Sequence, residues 1–219
     1  MKAFRNVKEA ELINIPKLGK CVLAAAFKCI KKAKVENASS LGELKELADL
    51  KPVTPVIPVV AARGAVVSSK QEWDGLNLAV EMITVSDGAC NEDKFTALDL
   101  TKLASLKQFV VGNGCFKFVT EVKITGLSKL ESVTVGENSF TRHPNDCGND
   151  PKRRFHLKDC PLVKSLTVGR YSFSDFTVCV IDNTPALETV EMGTLTYGED
   201  CNAFWYASLE LKSGRADSE

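Results

Sequence analysis

The chain has 219 residues, of which 44% are hydrophobic and 26% charged, a globular balance that excludes a disordered chain. At this length roughly 70% of the unfolded surface can be buried, so folding requires neither a disulfide nor a metal. Lys+Arg and Asp+Glu are both 28, and zero net charge argues against a nucleic-acid or membrane-surface binder, whose phosphate contacts need a basic excess. Two histidines leave little material for acid–base catalysis near neutral pH.

The chain starts with the charged Met1-Lys2-Ala3-Phe4-Arg5, and the apolar run Cys21 to Phe27 is too short for a secretory segment. No stretch approaches the ~20 apolar residues of a membrane span. A cytoplasmic location is expected, in which the sequon Asn37-Ala38-Ser39 stays idle. None of Cys21, Cys29, Cys90, Cys115, Cys147, Cys160, Cys179 and Cys201 forms a Cys-x-x-Cys pair. They are read as small buried hydrophobes in a reduced compartment.

In chain order, residues 1–47 carry a loose repeat: Leu18, Cys21 and Leu23 lead to Phe27, which lies 23 residues after Phe4, and Val35, Leu41 and Leu44 fill the slots beyond. Residues 48–80 break it. Pro52, Pro55 and Pro58 predict extended backbone, and the apolar Val59 to Val67 is expected to pack along the flank of the repeats. Gln71 to Met82 is expected to form one or two helical turns.

From residue 81 to 211 the repeat is regular, starting with Ile83-x-Val85 and Leu98-x-Leu100-x-x-Leu103-x-x-Leu106. Four segments then align: Leu106 to Gly112, Leu130 to Gly136, Val163 to Gly169 and Leu187 to Gly193, with glycines 24, 33 and 24 residues apart. Four residues after each glycine stands an aromatic (Phe116, Phe140, Phe173, Tyr197), preceded by a small residue (Cys115, Ser139, Ser172, Thr196). A second alternating run follows: Val122-x-Ile124, Phe155-x-Leu157, Cys179-x-Ile181. Residues 212–219 form a polar tail.

Each unit is thus expected to hold two short strands, since alternation puts every second side chain on one face. Leu130, Val133 and Val135 should point inward, and Glu131, Ser132 and Thr134 outward. The glycine is expected to end its strand at a turn needing positive φ, and the aromatics should stack as a ladder. No unit buries its apolar edge alone, so about seven stacked units form a β-rich, curved solenoid with a parallel sheet on one side and little helix.

The L-x-x-L-x-L arrangement at a period of 23–24 resembles leucine-rich repeats. The small-residue–Phe pair after the turn resembles the BspA-like subclass common in bacterial surface antigens and in large gene families of unicellular eukaryotes. The departures are a glycine where that subclass often has proline, and no asparagine ladder in the turn. The resemblance implies a recognition or adhesion scaffold without catalytic activity or cofactor, and a protein partner.

Two surfaces are candidates for that partner. The outward positions of the first strands carry Gln108, Ser132, Thr134, Ser165, Thr167, Thr189 and Glu191, a hydroxyl-rich face; those of the second strands carry Glu121, Lys123, Arg154, His156, Lys158 and Asp182. The other candidate is the Pro-, Asn-, Asp- and Gly-rich insertion from His143 to Arg154, where His143, Lys152, Arg153 and Arg154 could grip an acidic partner. Phosphate cradles and metal-ligand spacings are missing from the sequence; His143 with Cys147 is a thin candidate for a metal or for a thiol-dependent hydrolase. With no polar cap before Phe4, an open N-terminal repeat predicts self-association, or a segment of a longer structural or surface-antigen protein.

Overall fold

The computed structural model describes residues 9–13, 20–22, 32–36, 63–142, 152–193, 203–204 and 207–212. In chain order its strands are β1 (Glu9–Ile13), β2 (Lys20–Val22), β3 (Lys32–Glu36), β4 (Gly64–Val67), β5 (Met82–Val85), β6 (Ala97–Asp99), β7 (Gln108–Val111), β8 (Glu121–Thr125), β9 (Ser132–Val135), β10 (Arg154–Lys158), β11 (Ser165–Val168), β12 (Val178–Asp182), β13 (Thr189–Met192) and β14 (Ser208–Lys212). One short helix, α1 (Lys70–Asp74), lies between β4 and β5.

The strands form two parallel sheets of seven. Sheet A runs β3-β1-β14-β12-β10-β8-β6 and sheet B runs β2-β13-β11-β9-β7-β5-β4. From β5 onward the chain alternates strictly between them. The alternating side chains account for both: β5, β7, β9, β11 and β13 each bury every second residue, as β8 does in sheet A. Leu130, Val133 and Val135 are buried while Glu131 is exposed and Ser132 and Thr134 are half-buried. Where one parallel sheet was expected, both sets of strands build one.

The two kinds of connection differ. From sheet A back to sheet B, the last three connections of the regular repeats, residues 126–131, 159–164 and 183–188, have equal length and open on a left-handed residue, Gly126 (φ 73°), Asp159 (φ 52°) and Asn183 (φ 52°), whereas the earlier 100–107 is two residues longer. From sheet B to sheet A the connections run 86–96, 112–120, 136–153, 169–177 and 193–207, so most of the variation in length falls on this kind of connection. Insertions there leave the strand register intact.

Three expectations change. The N-terminal strands do not precede the regular repeats in space: β1 pairs with β14 and with β3, and β2 pairs with β13, at the far end of the array. The segment 48–80 is not wholly outside the repeat, because β4 pairs with β5 over Gly64↔Met82 to Val67↔Val85. The one or two helical turns expected within Gln71 to Met82 form at its start and begin one residue earlier, as Lys70–Asp74; the Ser69 hydroxyl caps the helix by accepting from the Glu72 N–H (3.2 Å), and it ends at Gly75. Residues 48–62 lie outside the described residues.

The core runs between the sheets. Phe116 and Phe140 stack at 4.9 Å, Phe140 and Phe173 at 4.5 Å, and Phe173 and Phe204 at 4.5 Å. Phe204 therefore occupies the fourth place of the ladder, which the spacing assigned to Tyr197; Tyr197 itself lies outside the described residues. At the other end the slot holds Cys90, too small to continue the stack, and Trp73 of α1 closes it edge-on against Phe116 at 5.9 Å. Offset and edge-on ring pairs contribute about 0.5–1.5 kcal/mol beyond their buried area.

Of the four repeat glycines Gly193 (80°) has the expected positive φ, whereas at the other three turns positive φ falls on the aromatic, Phe116 (57°), Phe140 (57°) and Phe173 (56°), as it also does at Phe204 (50°). Gly112, Gly136 and Gly169 are required by space instead. A Cβ on Gly136 would come within 2.7 Å of the Gly112 backbone, and one on Gly169 within 2.6 Å of the Gly136 backbone. Neighbouring turns touch at these glycines, which is why the residue recurs.

Candidate functional site

Sheet B carries most of the predicted face. Its register places Gln108, Ser132, Ser165 and Thr189 in one row, and Thr134, Thr167 and Glu191 in a second row two residues along. All seven are half-buried, pointing away from the buried alternates of the same strands. The register adds Met82 to the first row and Thr84 and Val110 to the second. Met82 and Val110 were missed because they stand where later repeats carry hydroxyls, and Thr84 because its repeat lies outside the four aligned segments. Gln108 Oε1 is buried without a hydrogen-bond partner among the described residues.

The outer face of sheet A has different chemistry. Glu121 and Arg154 share one row with Val178, Lys123 and His156 a second with Val180 and Glu210, and Lys158 and Asp182 a third with Lys212. Lys123 and Glu121 pair at 3.1 Å, and Lys212 and Glu210 at 3.6 Å. His156 is half-buried rather than fully solvated, and Val180 beside it is 6% exposed. Burial first, then the charge of Lys158, hold the His156 imidazole below its ordinary range.

The basic cluster does not act as one unit. Lys152 and Arg154 are exposed, whereas Arg153 is 2% exposed. Its Nη1 meets Asp175 Oδ1 at 3.1 Å and the Phe140 carbonyl at 3.4 Å, and its guanidinium lies 5.7 Å from the Phe176 ring centre. The Asp175 carboxylate also accepts the Arg142 N–H at 3.3 Å, and the Thr141 and Ser174 hydroxyls are 2.8 Å apart. Burial pushes the Asp175 carboxyl up against the pull of Arg153. Arg153 is thus a fastening for the ends of the insertion rather than a partner-gripping residue, which its place in a Lys-Arg-Arg run could not reveal. His143 and Cys147 lie outside the described residues.

The turn edge of sheet B forms a hydrogen-bonded ladder. Ser139 Oγ donates to the Gly112 carbonyl (2.8 Å) and accepts the Cys115 N–H (3.1 Å); Ser172 Oγ donates to the Gly136 carbonyl (2.6 Å) and accepts the Ser139 N–H (3.0 Å). One position further along each turn, after Ser86, Gly112, Gly136 and Gly169, a second series runs outward: Asp87 accepts the Asn113 N–H (2.7 Å), Asn113 Oδ1 accepts the Glu137 N–H (2.7 Å), and Arg170 donates to Glu137 (2.8 Å). Asn91 Nδ2 donates to the Gly88 and Gly114 carbonyls at 2.9 and 2.7 Å. Side chains of mixed type do the bridging that a uniform asparagine ladder would do.

Cys90, Cys115, Cys160 and Cys179 are buried and free. Burial pushes the Cys90 thiol up to about 12 and the Cys160 thiol to about 11, and raises Cys115 and Cys179 as well. Such thiols are inert packing groups at neutral pH. Among the described residues no three His, Cys, Asp or Glu side chains converge as a metal site, and no helix is long and apolar enough to cross a membrane. No protein-family model, curated protein or solved structure matches the chain.

Proposed function

We propose that the two sheets are the walls of a leucine-rich-repeat-type solenoid that serves as a non-catalytic protein-recognition scaffold, with the outer face of sheet B as its recognition surface. The observation that carries this reading is the register of Ser132, Ser165 and Thr189 beside Thr134 and Thr167 across β9, β11 and β13. Short hydroxyl side chains at adjacent rungs offer donors and acceptors at the ~4.8 Å strand spacing and lose little side-chain entropy when a partner covers them. The alternation with a buried core below keeps the face rigid. Lys152 and Arg154 at the rim complement an acidic edge of such a partner.

The test compares the wild-type chain with a variant carrying Thr134→Lys, Thr167→Lys and Glu191→Lys in affinity capture from the source cell. A protein retained by the wild type and lost by the variant supports the scaffold reading. Identical captures by both sink it, and favour the second reading, a structural or surface-antigen-type segment of a longer protein. That alternative rests on the ladder edges of β4 and β6, which have no further strand among the described residues. A thiol-dependent hydrolase centred on Cys147 is the remote reading; a thiol-reactive probe that leaves Cys147 unlabelled near neutral pH removes it.

A further inference from the structure

The end of the array built by β13 and β14 is an acceptor for strands that the chain delivers from a distance. Leu209, Leu211, Val190 and Met192 on this last regular rung are 0–2% exposed, although no later part of the described chain continues the sheets. What continues them is the N-terminal segment. β1 lies on β14 with Ala10↔Leu209, Glu11↔Glu210, Leu12↔Leu211 and Ile13↔Lys212, and β2 lies on β13 with Lys20↔Thr189, Cys21↔Val190 and Val22↔Glu191. Among the described elements, β1, β2 and β3 pack only against β13, β14 and one another.

The next element of the chain, β4, sits at the opposite edge of sheet B, six strands away from β2. The strand that leads to β4 is β3, one rung beyond β1 and β2, so the span to be bridged is seven strand spacings, about 34 Å. The 27 residues 37–63 that join β3 to β4 reach about 90 Å when extended. A connection more than twice as long as its span brings the N-terminal strands to their site without dictating which copy of the site they occupy. A parallel ladder between β1 and β14 is the same set of backbone bonds whether the strands come from one chain or two.

We infer that this end of the array is a docking surface for the N-terminal strands of a second copy of the chain, and that two copies exchange β1–β3 reciprocally to give a closed dimer. The exchange creates no new interface chemistry, so its balance is set by concentration. Intramolecular docking competes with an effective concentration on the order of millimolar, and exchange is favoured when the chain folds while crowded with its own copies.

The experiment uses the opposed pair Glu11 and Glu210, the latter exposed on β14. Full-length Glu11→Cys and Glu210→Cys chains are unfolded together, refolded at about 1 mM and at about 1 µM, and oxidised; peptide mapping then identifies bonds between the two substituted positions. The expected result is a cross-chain bond at the high concentration that falls at least tenfold at the low one. The double variant, refolded dilute, is expected to form the same bond within one chain. If the double variant closes but the mixed single variants never join, the strands are held in cis and the exchange is overturned. Failure of both to link the two positions refutes the strand register and the proposal with it.

Discussion

Sheet B has two edges of attention: the turns that follow its strands, and the outward face of the strands themselves. The same repeats build both, yet they are constrained very differently. At the turns the key positions are fixed by close contacts. Gly136 touches the neighbouring backbone, Ser139 bridges two rungs, and Phe140 adopts positive φ to enter the stack. On the face, Ser132, Thr134, Ser165 and Thr167 need only be tolerable on a half-buried strand. The turns hold the fold and the face is far less constrained, so substitutions should separate the two.

The largest effect should come from the ladder. Phe173→Ala removes a ring stacked on both Phe140 and Phe204 and should cost about 3–5 kcal/mol in urea unfolding. Gly136→Ala should cost about 1–3 kcal/mol, as overpacking does, because the added Cβ meets the Gly112 backbone at 2.7 Å as well as the Asn113 side chain, and the backbone cannot step aside. Ser139→Ala leaves the buried Cys115 N–H without its acceptor, a loss of about 1–3 kcal/mol; a thermal melt indistinguishable from wild type would contradict the ladder. Ser132→Ala and Thr167→Ala should stay within about 0.5 kcal/mol. Equal losses at face and turn would erase the distinction between them.

The same contrast explains what could be read in advance. Inward and outward positions follow from period-two alternation alone, so Val133, Val135, Leu166 and Val168 were legible as core and Ser132 and Thr167 as surface. The reason for the glycines was not, because a close approach between turns and a left-handed backbone leave the same residue in the sequence. Tyr197 misled for a related reason: spacing counts residues, whereas the stack is filled by whichever ring reaches it, and Phe204 does after a longer connection. Arg153 looks like its neighbours until Asp175 is brought beside it from 22 residues away.

By itself, the sequence determined the local terms: which side chains alternate, where strands begin and end, and that the units must stack to cover their apolar edges. These depend on near neighbours and on a period. Tertiary structure decided everything that rests on distant pairings. It set β1 and β2 on β14 and β13, turned Trp73 into the closing ring of the ladder, and buried one basic residue of the Lys152-Arg153-Arg154 run. A repeat pattern states that neighbouring rungs are alike; it carries no signal for which end a detached rung will join, because every rung presents nearly the same edge.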